Sequence, residues 1–312
     1  MRRIFTSGES LIDIIFRDGK PQAAKAGGAM LNTAVSLGRV GLPVFFISEF
    51  GADQPGYLIE KFLKENDVGT DYIFRYTTGN TALALAFLDE KNDAHYTFYK
   101  NYPVKRLDIT IPEIGKNDIF LFGSFYAITN ELRSKMKEMV NSASKNGALI
   151  IYDPNFRSSH LNELGQLKPM IIENISYSSL VRGSHEDFLN IFGAASAGEA
   201  WESVKKYCNC VIYTNGTEGV SVYTPSFSGE FPVRKIKPVS TIGAGDNFNA
   251  GLITAFYRNN ITRDRILTLR KKEWNKIIST AVDFASEACM SYDNYIGLAF
   301  ASRYRSASRF QI

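Results

Sequence analysis

Histidine and cysteine are scarce in this chain, with three of each among 312 residues. A structural zinc site needs about four such ligands at close spacing, so most soft-metal chemistry is excluded. Cys208 and Cys210 form a close pair, but no second pair and no nearby histidine completes a site, and they read as residues at a strand edge. An odd cysteine count without framework spacing also excludes a disulfide-stapled fold and points to a reducing cytoplasm. Long apolar runs are missing too. No stretch approaches the roughly 20 residues of a membrane-crossing helix. The apolar run after Met1-Arg2-Arg3 is broken by Ser7, Gly8, Glu9 and Asp13, so it reads as a strand rather than a secretion signal. Nor is there charge of one sign: 36 basic and 32 acidic residues leave a net charge of +4, which does not suggest a nucleic-acid binder. No internal repeat or low-complexity linker divides the chain. No Gly-x-Gly-x-x-Gly turn follows the first strand, which argues against a dinucleotide-dependent dehydrogenase.

What is present is an ordinary globular balance, 45% apolar, with length enough for one large α/β domain or two modest ones. A first strand is expected near Arg3–Thr6. Short β-type runs follow at Leu11–Phe16, Gln22–Ala24, Thr81–Leu88 and Tyr96–Tyr99, before any strand–helix alternation settles, and they read as a small separate sheet. Gly27-Gly28 opens a helix that stops at Gly41, Val44–Ser48 is a buried-type strand, and Asp53 can cap the helix after it. From residue 117 onward, strands at 119–122, 148–152, 180–182 and 211–214 alternate with helices, the pattern of a parallel sheet covered on both faces. A hairpin at 219–233 follows. The basic run Arg263–Lys272 reads as a solvated helical face. Polar clusters stand just after the predicted strands, at Gly123-Ser124, Asp153–Arg157, Gly183-Ser184 and Thr214–Gly216. In such sheets ligands bind along the carboxyl edge of the strands.

The stretch from Val239 to Gly251 carries the chemistry. Gly243, Ala244 and Gly245 keep the backbone open to an anion, and Phe248, Leu252 and Phe256 mark the helix that follows. A helix start offers unpaired N–H groups and the positive end of a dipole, so the loop is a candidate cradle for phosphate. Asp246 would repel a bound anion. It makes sense as a base that takes a proton from an attacking hydroxyl. Alone, Gly-Ala-Gly-Asp is more often a plain turn before a helix.

Two stretches together decide the matter. Gly27-Gly28 with Asn32, Ala34, Leu37 and Gly41, and Gly243-Ala244-Gly245-Asp246 with Phe248 and Gly251, resemble the two signatures of the ribokinase-like (PfkB) sugar kinases. The resemblance covers essentially residues 1–312 as one kinase domain. It implies an α/β fold, a central mostly parallel sheet flanked by helices, with a small β-sheet lid formed by about 11–25 and 72–105. It also implies ATP and Mg²⁺ as cofactors. Asp246 would be the general base, and the amides of Gly243, Ala244 and Gly245 the anion hole. Asp13, Gly28 and Asn32 would hold sugar hydroxyls, with Tyr99, in Phe98-Tyr99, as part of the lid over the sugar. Arg157, in Asp153-Pro154-Asn155-Phe156-Arg157, resembles an element of fructokinases and 2-keto-3-deoxygluconate kinases and would grip the transferring phosphate or an acidic group. Ser184, Thr214 and Gly216 would meet the nucleotide.

Two departures from the family pattern stand out. Ser240 replaces the usual Asp of the late signature, and a neutral hydroxyl is a weaker ligand for a monovalent cation. Ser184 and Asp187 replace the Asn and Glu of the family's Asn-x-x-Glu element, so Asp187 would reach Mg²⁺ only through water, with Glu186 a stand-in. His185 reads as solvated. The expected activity is phosphorylation of a small sugar, fructose first and 2-keto-3-deoxygluconate second. A sugar-binding regulatory protein on a kinase fold is the non-enzymatic alternative. The partners expected are sugar and ATP, with no nucleic acid and no membrane, and the lid edges could pair in a homodimer.

Overall fold

The computed structural model describes residues 1–88 and 94–306. Its strands, in chain order, are β1 (Ile4–Ser7), β2 (Leu11–Arg17), β3 (Lys20–Gly27), β4 (Val44–Gly51), β5 (Val68–Tyr76), β6 (Asn80–Leu88), β7 (Ala94–Asn101), β8 (Ile119–Gly123), β9 (Leu149–Asp153), β10 (Leu180–Ser184), β11 (Val211–Asn215), β12 (Gly219–Thr224) and β13 (Phe227–Phe231). The α-helices are α1 (Ala29–Arg39), α2 (Gln54–Glu65), α3 (Asn130–Lys145), α4 (Leu164–Tyr177), α5 (His185–Phe192), α6 (Ala197–Val204), α7 (Ala244–Arg258), α8 (Arg263–Ile266), α9 (Lys271–Ala288) and α10 (Leu298–Ser306).

The central strands are apolar along their whole length, because both faces are covered. In β8, Ile119 and Leu121 join one core while Phe120 and Phe122 join the other. Leu149 and Ile151 of β9 divide from Ile150 and Tyr152 in the same way. Side chains of successive strand residues point to opposite faces, so one apolar strand feeds two cores. The first core packs beneath α1, α2, α7, α9 and α10. The second packs beneath α3, α4, α5 and α6.

The large sheet has nine strands in the order β13-β12-β11-β10-β9-β8-β1-β4-β5. It is parallel from β11 to β5, and the β12–β13 hairpin adds the antiparallel edge. β1 inserts between β4 and β8, so the strand order changes direction there, and such a switch point opens a crevice at the carboxyl ends. A separate four-stranded sheet runs β3-β2-β6-β7. The expected α/β architecture with a small extra sheet is therefore present.

Two expectations change in detail, and part of a third lies outside the described residues. Residues 72–76, expected in the small sheet, belong to β5 at the edge of the large one, where Tyr72 to Tyr76 pair with Ile47 to Gly51. Residues 89–93 of the expected lid lie outside the described residues. The basic run at 263–272 is not one helical face. It breaks between α8 and α9, where Ile266 and Leu269 are buried, and the carboxylate of Glu273 gathers Arg265 and Arg270. Among the described residues no helix is long and apolar enough to cross a membrane.

Candidate active site

The polar residues at the carboxyl edge are built from the strand ends and the starts of two helices. Gly243 is the N-cap of α7 and holds a φ of 79°, which favours glycine. A Cβ there would stand 2.8 Å from the Asn294 carbonyl oxygen. The Ala244 amide closes a turn on the Thr241 carbonyl at 3.2 Å, and the amides of Gly245 and Asp246 complete the first turn. Helix geometry leaves first-turn amides without intrahelical acceptors, which suits them to an anion.

α7 packs on α1, which brings the two glycine-led segments together. Asn32 Nδ2 donates to Asp246 Oδ2 at 2.8 Å, and the Thr33 hydroxyl donates to the Asp246 carbonyl at 2.8 Å. One turn on, Ser36 Oγ donates to Asn247 Oδ1 at 2.6 Å, while Asn247 Nδ2 donates to the carbonyls of Gly243 and Asn294 at 2.8 and 2.9 Å. Burial of the Asp246 carboxyl pushes it up to about 6. The Asn32 hydrogen bond opposes the rise, the Asp153 charge adds to it, and Arg157 and Arg182 counter it. A carboxylate poised near neutrality is suited to accept a proton. Arg157 is exposed beside the short 3₁₀ turn at 158–163, within electrostatic reach of Asp246.

On the other side, Gly28 caps α1 with a φ of 135°, and a Cβ there would stand 2.2 Å from the Glu9 carbonyl oxygen. Asp13 lies against Gly27, where a Cβ would meet its Oδ2 at 2.1 Å. Burial, and then the charge of Glu9, push Asp13 up to about 6. Asp13 pairs with Ala84, and Ala84 with Phe98, so the three share one face of the small sheet. Tyr96 shares that face, stacked on Phe98 at 5.8 Å, and its hydroxyl responds to both Asp13 and Arg157. Tyr99 is one residue further on and faces the opposite way, paired with Leu83. The small sheet thus brings Tyr96 and Phe98, not Tyr99, to the side of Asp13. Strand alternation was visible in the sequence, but not which parity faced inward.

The expected nucleotide residues occupy the next strand ends. Thr214 lies one residue before the end of β11, and Gly216 follows Asn215, exposed, with a φ of 48° and open space where a Cβ would sit. Ser184 and Asp187 form a capping box at the start of α5. Asp187 Oδ2 accepts from the Ser184 amide and hydroxyl at 2.7 and 2.6 Å, and Oδ1 from the Phe156 amide at 2.6 Å. Asp187 is therefore buried and engaged in holding α5 to the 153–157 loop, rather than presented to a metal. His185 is half-buried and shares a 2.6 Å hydrogen bond with the Tyr213 hydroxyl, so it is not solvated. Ser240 Oγ accepts from the Ile242 amide at 3.2 Å. Among the described residues no cluster of three His, Cys, Asp or Glu side chains could hold a metal. Asp153 and Asp187 are already satisfied by chain donors, so this edge presents no ready set of direct Mg²⁺ ligands.

Arg182 and Asn249 escaped the sequence reading, which named Asp153 only as part of the polar cluster at 153–157. Asp153, at the end of β9, is buried and accepts from Arg182 Nη1 at 2.9 Å and Asn249 Nδ2 at 2.6 Å through Oδ2. Arg182 Nη2 also donates to the Thr214 hydroxyl at 2.8 Å. The signal was an arginine inside an otherwise apolar strand, Leu180-Val181-Arg182, since a charge placed there requires partners.

Comparison with known proteins agrees with this geometry. The model of the pfkB family carbohydrate kinases matches residues 1–293. A probable chloroplastic fructokinase of Arabidopsis thaliana is 30% identical over 259 residues, covering 80% of this chain and 65% of that relative's length. The crystal structure of a Xylella fastidiosa fructokinase with bound ATP superposes with a TM-score of 0.84 at 22% identity, covering 97% of this chain and 98% of that one. A double mutant of Vibrio cholerae O395 fructokinase, with fructose, ADP and potassium bound, gives 0.83 at 22% identity, over 98% and 99% of the two chains. With the matched model spanning nearly the whole chain, and both glycine-led helices meeting at one carboxylate, the protein belongs to the pfkB family of carbohydrate kinases.

Proposed function

We propose that this kinase transfers the γ-phosphate of ATP to a hydroxyl of fructose, with Asp246 as general base. The observation that carries the reading is Asp246 itself, a carboxyl raised to about 6 at the head of α7, beside first-turn amides and held by Asn32. The sugar hydroxyl gives its proton to Asp246 as its oxygen forms a bond to Pγ. The bond from Pγ to the bridging oxygen breaks and ADP leaves. In this reading the amides of Gly243, Ala244 and Gly245 would meet the charge on the transferring group, Ala244 by leaving its bond to the Thr241 carbonyl, where fixed donors stabilise a transition state most. Arg157 adds a guanidinium to the same group. Asp13, Gly28 and Asn32 hold the other sugar hydroxyls, and the buried Asn32 Oδ1, which accepts no hydrogen bond among the described residues, is free to accept one. Ser184, Thr214 and Gly216 line the nucleotide. Mg²⁺ would arrive on the phosphates of ATP and neutralise their charge, with water completing its shell.

The small sheet acts as the lid, with Tyr96 and Phe98 over the sugar, and excludes the water that would compete as acceptor. The opposite face of the sheet exposes Phe87 and Tyr99, an apolar surface suited to a second copy of the chain in a homodimer. A cytoplasmic setting suits three free, buried cysteines.

One observation favours a sugar acid instead. Lys100 Nζ lies 5.0 Å from the Phe98 ring centre, on the inner side of the small sheet, where with Arg157 it could pair with a carboxylate. The deciding experiment is ADP release with Mg-ATP against fructose, ribose, tagatose, adenosine and 2-keto-3-deoxygluconate. Selective turnover of fructose supports the main reading, and selective turnover of the sugar acid supports the second. No turnover, with a sugar still raising the melting temperature, would make the protein a sugar-binding regulator.

A further inference from the structure

Arg182 lies in β10, an interior strand with β9 on one side and β11 on the other. Its side chain is 9% exposed. Taking a guanidinium out of water there costs several kcal/mol before any attraction is counted, so its contacts matter. Nη1 and Nη2 are occupied by Asp153 and Thr214. The guanidinium carbon lies 5.5 Å from the Phe248 ring centre. The flat group also lies against the phosphate loop. A Cβ built on Gly245 would stand 2.9 Å from Nη1, 3.2 Å from Nη2 and 3.4 Å from Cζ. Gly245 sits within α7 and needs no positive φ. Arg182, and not backbone conformation, is what keeps position 245 without a side chain.

We infer that Arg182 is a positioning residue for phosphoryl transfer, a cation that holds the acceptor-side amides of α7 and the nucleotide-side Thr214 in one frame. The inference rests on the kinase reading above. Three elements meet on the guanidinium: the end of β9 through Asp153, the end of β11 through Thr214, and the first turn of α7 through Gly245 and Phe248. Both Nη atoms are committed, so Arg182 acts by geometry and by its field behind the amides rather than by touching the phosphate. The field adds to that of the helix terminus, where negative charge builds during transfer. A lysine carries the charge but not the planar fork, and cannot bridge Asp153 and Thr214 in the same plane. Two buried polar atoms flank this network without hydrogen-bond partners among the described residues, Arg182 Nε and Asn249 Oδ1. They are the polar neighbours a bound nucleotide or its water shell would find.

The test uses the full chain and the sugar that the parent enzyme phosphorylates. Arg182→Lys, Arg182→Met and the double variant Arg182→Met/Asp153→Asn are compared with the parent. The double variant removes the carboxylate that would otherwise be left buried and unpaired, so folding survives the loss of the cation. The inference expects kcat of the double variant to fall on the order of a hundredfold, with KM for the sugar within about twofold, and Arg182→Lys to recover part of the loss. The charged and polar groups facing Asp246 are Asn32, Asp153, Arg157 and Arg182. Arg182→Met alone therefore moves the acid limb of the pH–rate profile upward, and the added Asp153→Asn brings it back toward the parent. A purely structural role would lower the melting temperature without this pattern. A folded double variant with kcat near that of the parent, or an acid limb that stays put in Arg182→Met, overturns the inference. A parent silent with every sugar overturns the kinase reading as well.

Discussion

The Asn32 amide donates to Asp246 Oδ2 at 2.8 Å and so joins two residues 214 positions apart. The bond fixes which carboxylate oxygen faces the helix, and in the proposed reaction the other would take the substrate's proton. It also tempers the carboxyl, because a donor to the charged form lowers a pKa that burial has raised. The Asp246 carboxyl is therefore set by two opposed effects, of which burial is the larger.

Replacing Asp246 by Asn should separate activity from stability. Turnover should fall by roughly 10²–10⁴, the range for losing a general base, while the sugar still shifts the melting temperature. The apo variant should melt higher at neutral pH. The folded state disfavours the charged carboxyl, so removing the charge relieves a penalty of roughly 1–3 kcal/mol. Calorimetry and an ADP-release assay on one sample decide it, and near-normal turnover would remove Asp246 from the role of base.

The pH profile should report two carboxyls. Asp13 and Asp246 are each raised to about 6. Activity that needs both ionised should fall below about pH 6 with a slope steeper than one proton, and Asp13→Asn should return the slope to one. Stability runs the other way. A carboxyl raised in the folded state binds its proton more tightly than in the unfolded chain, so the stability these two groups confer is full below their ordinary range and is lost as the pH rises through about 6. Chemical denaturation at pH 4.5 and 7, on parent and Asp13→Asn, tests the sign.

Asp187 supplies a test of metal against scaffold. Asp187→Asn should cost roughly 1–3 kcal/mol of stability, since one amide oxygen cannot accept from Phe156 and Ser184 together. The apparent Mg²⁺ requirement should stay unchanged. A tenfold weaker Mg²⁺ response with an unaltered melting temperature would restore Asp187 to the metal.

Lys25 ties the small sheet to the support of the phosphate loop. Its Nζ meets Asp293 Oδ1 at 2.9 Å and the Tyr292 carbonyl at 3.1 Å, next to Asn294, whose carbonyl holds Asn247. Lys25→Met should raise sugar-independent ATP hydrolysis and the KM for the sugar several-fold, with little change in melting temperature, because exposed pairs are worth about 0–1 kcal/mol. Unchanged hydrolysis without sugar would show that the pair does not govern closure.

The fold was legible because its strands carry their own evidence. Runs such as Ile119–Gly123 and Leu149–Asp153 are apolar throughout and end in polar residues, which marks a doubly covered sheet and its functional edge. The meeting of Asn32 and Asp246 was legible only through the paired signatures, since nothing local links α1 to α7. What stayed hidden depended on which face or neighbour a residue finds after folding. Tyr99 came from the resemblance of Phe98-Tyr99 to a lid element, and period-two alternation gives a strand's parity but not which face turns toward Asp13. Asp187 looked like a ligand because capping and coordination use the same carboxylate. Arg182 ended a strand on paper, and its tie to Asp153 and Thr214 exists only once three strands lie side by side.

The packing of α1 on α7 also has a consequence for biosynthesis. The base, its anchoring amide and the glycine turns come from opposite ends of the chain, and β1 pairs with β8, whose register begins 115 residues later. Synthesis must therefore pass residue 246 before Asn32 and Asp246 can meet. A nascent or prematurely terminated chain has strands and helices but no half-working centre with which to waste ATP.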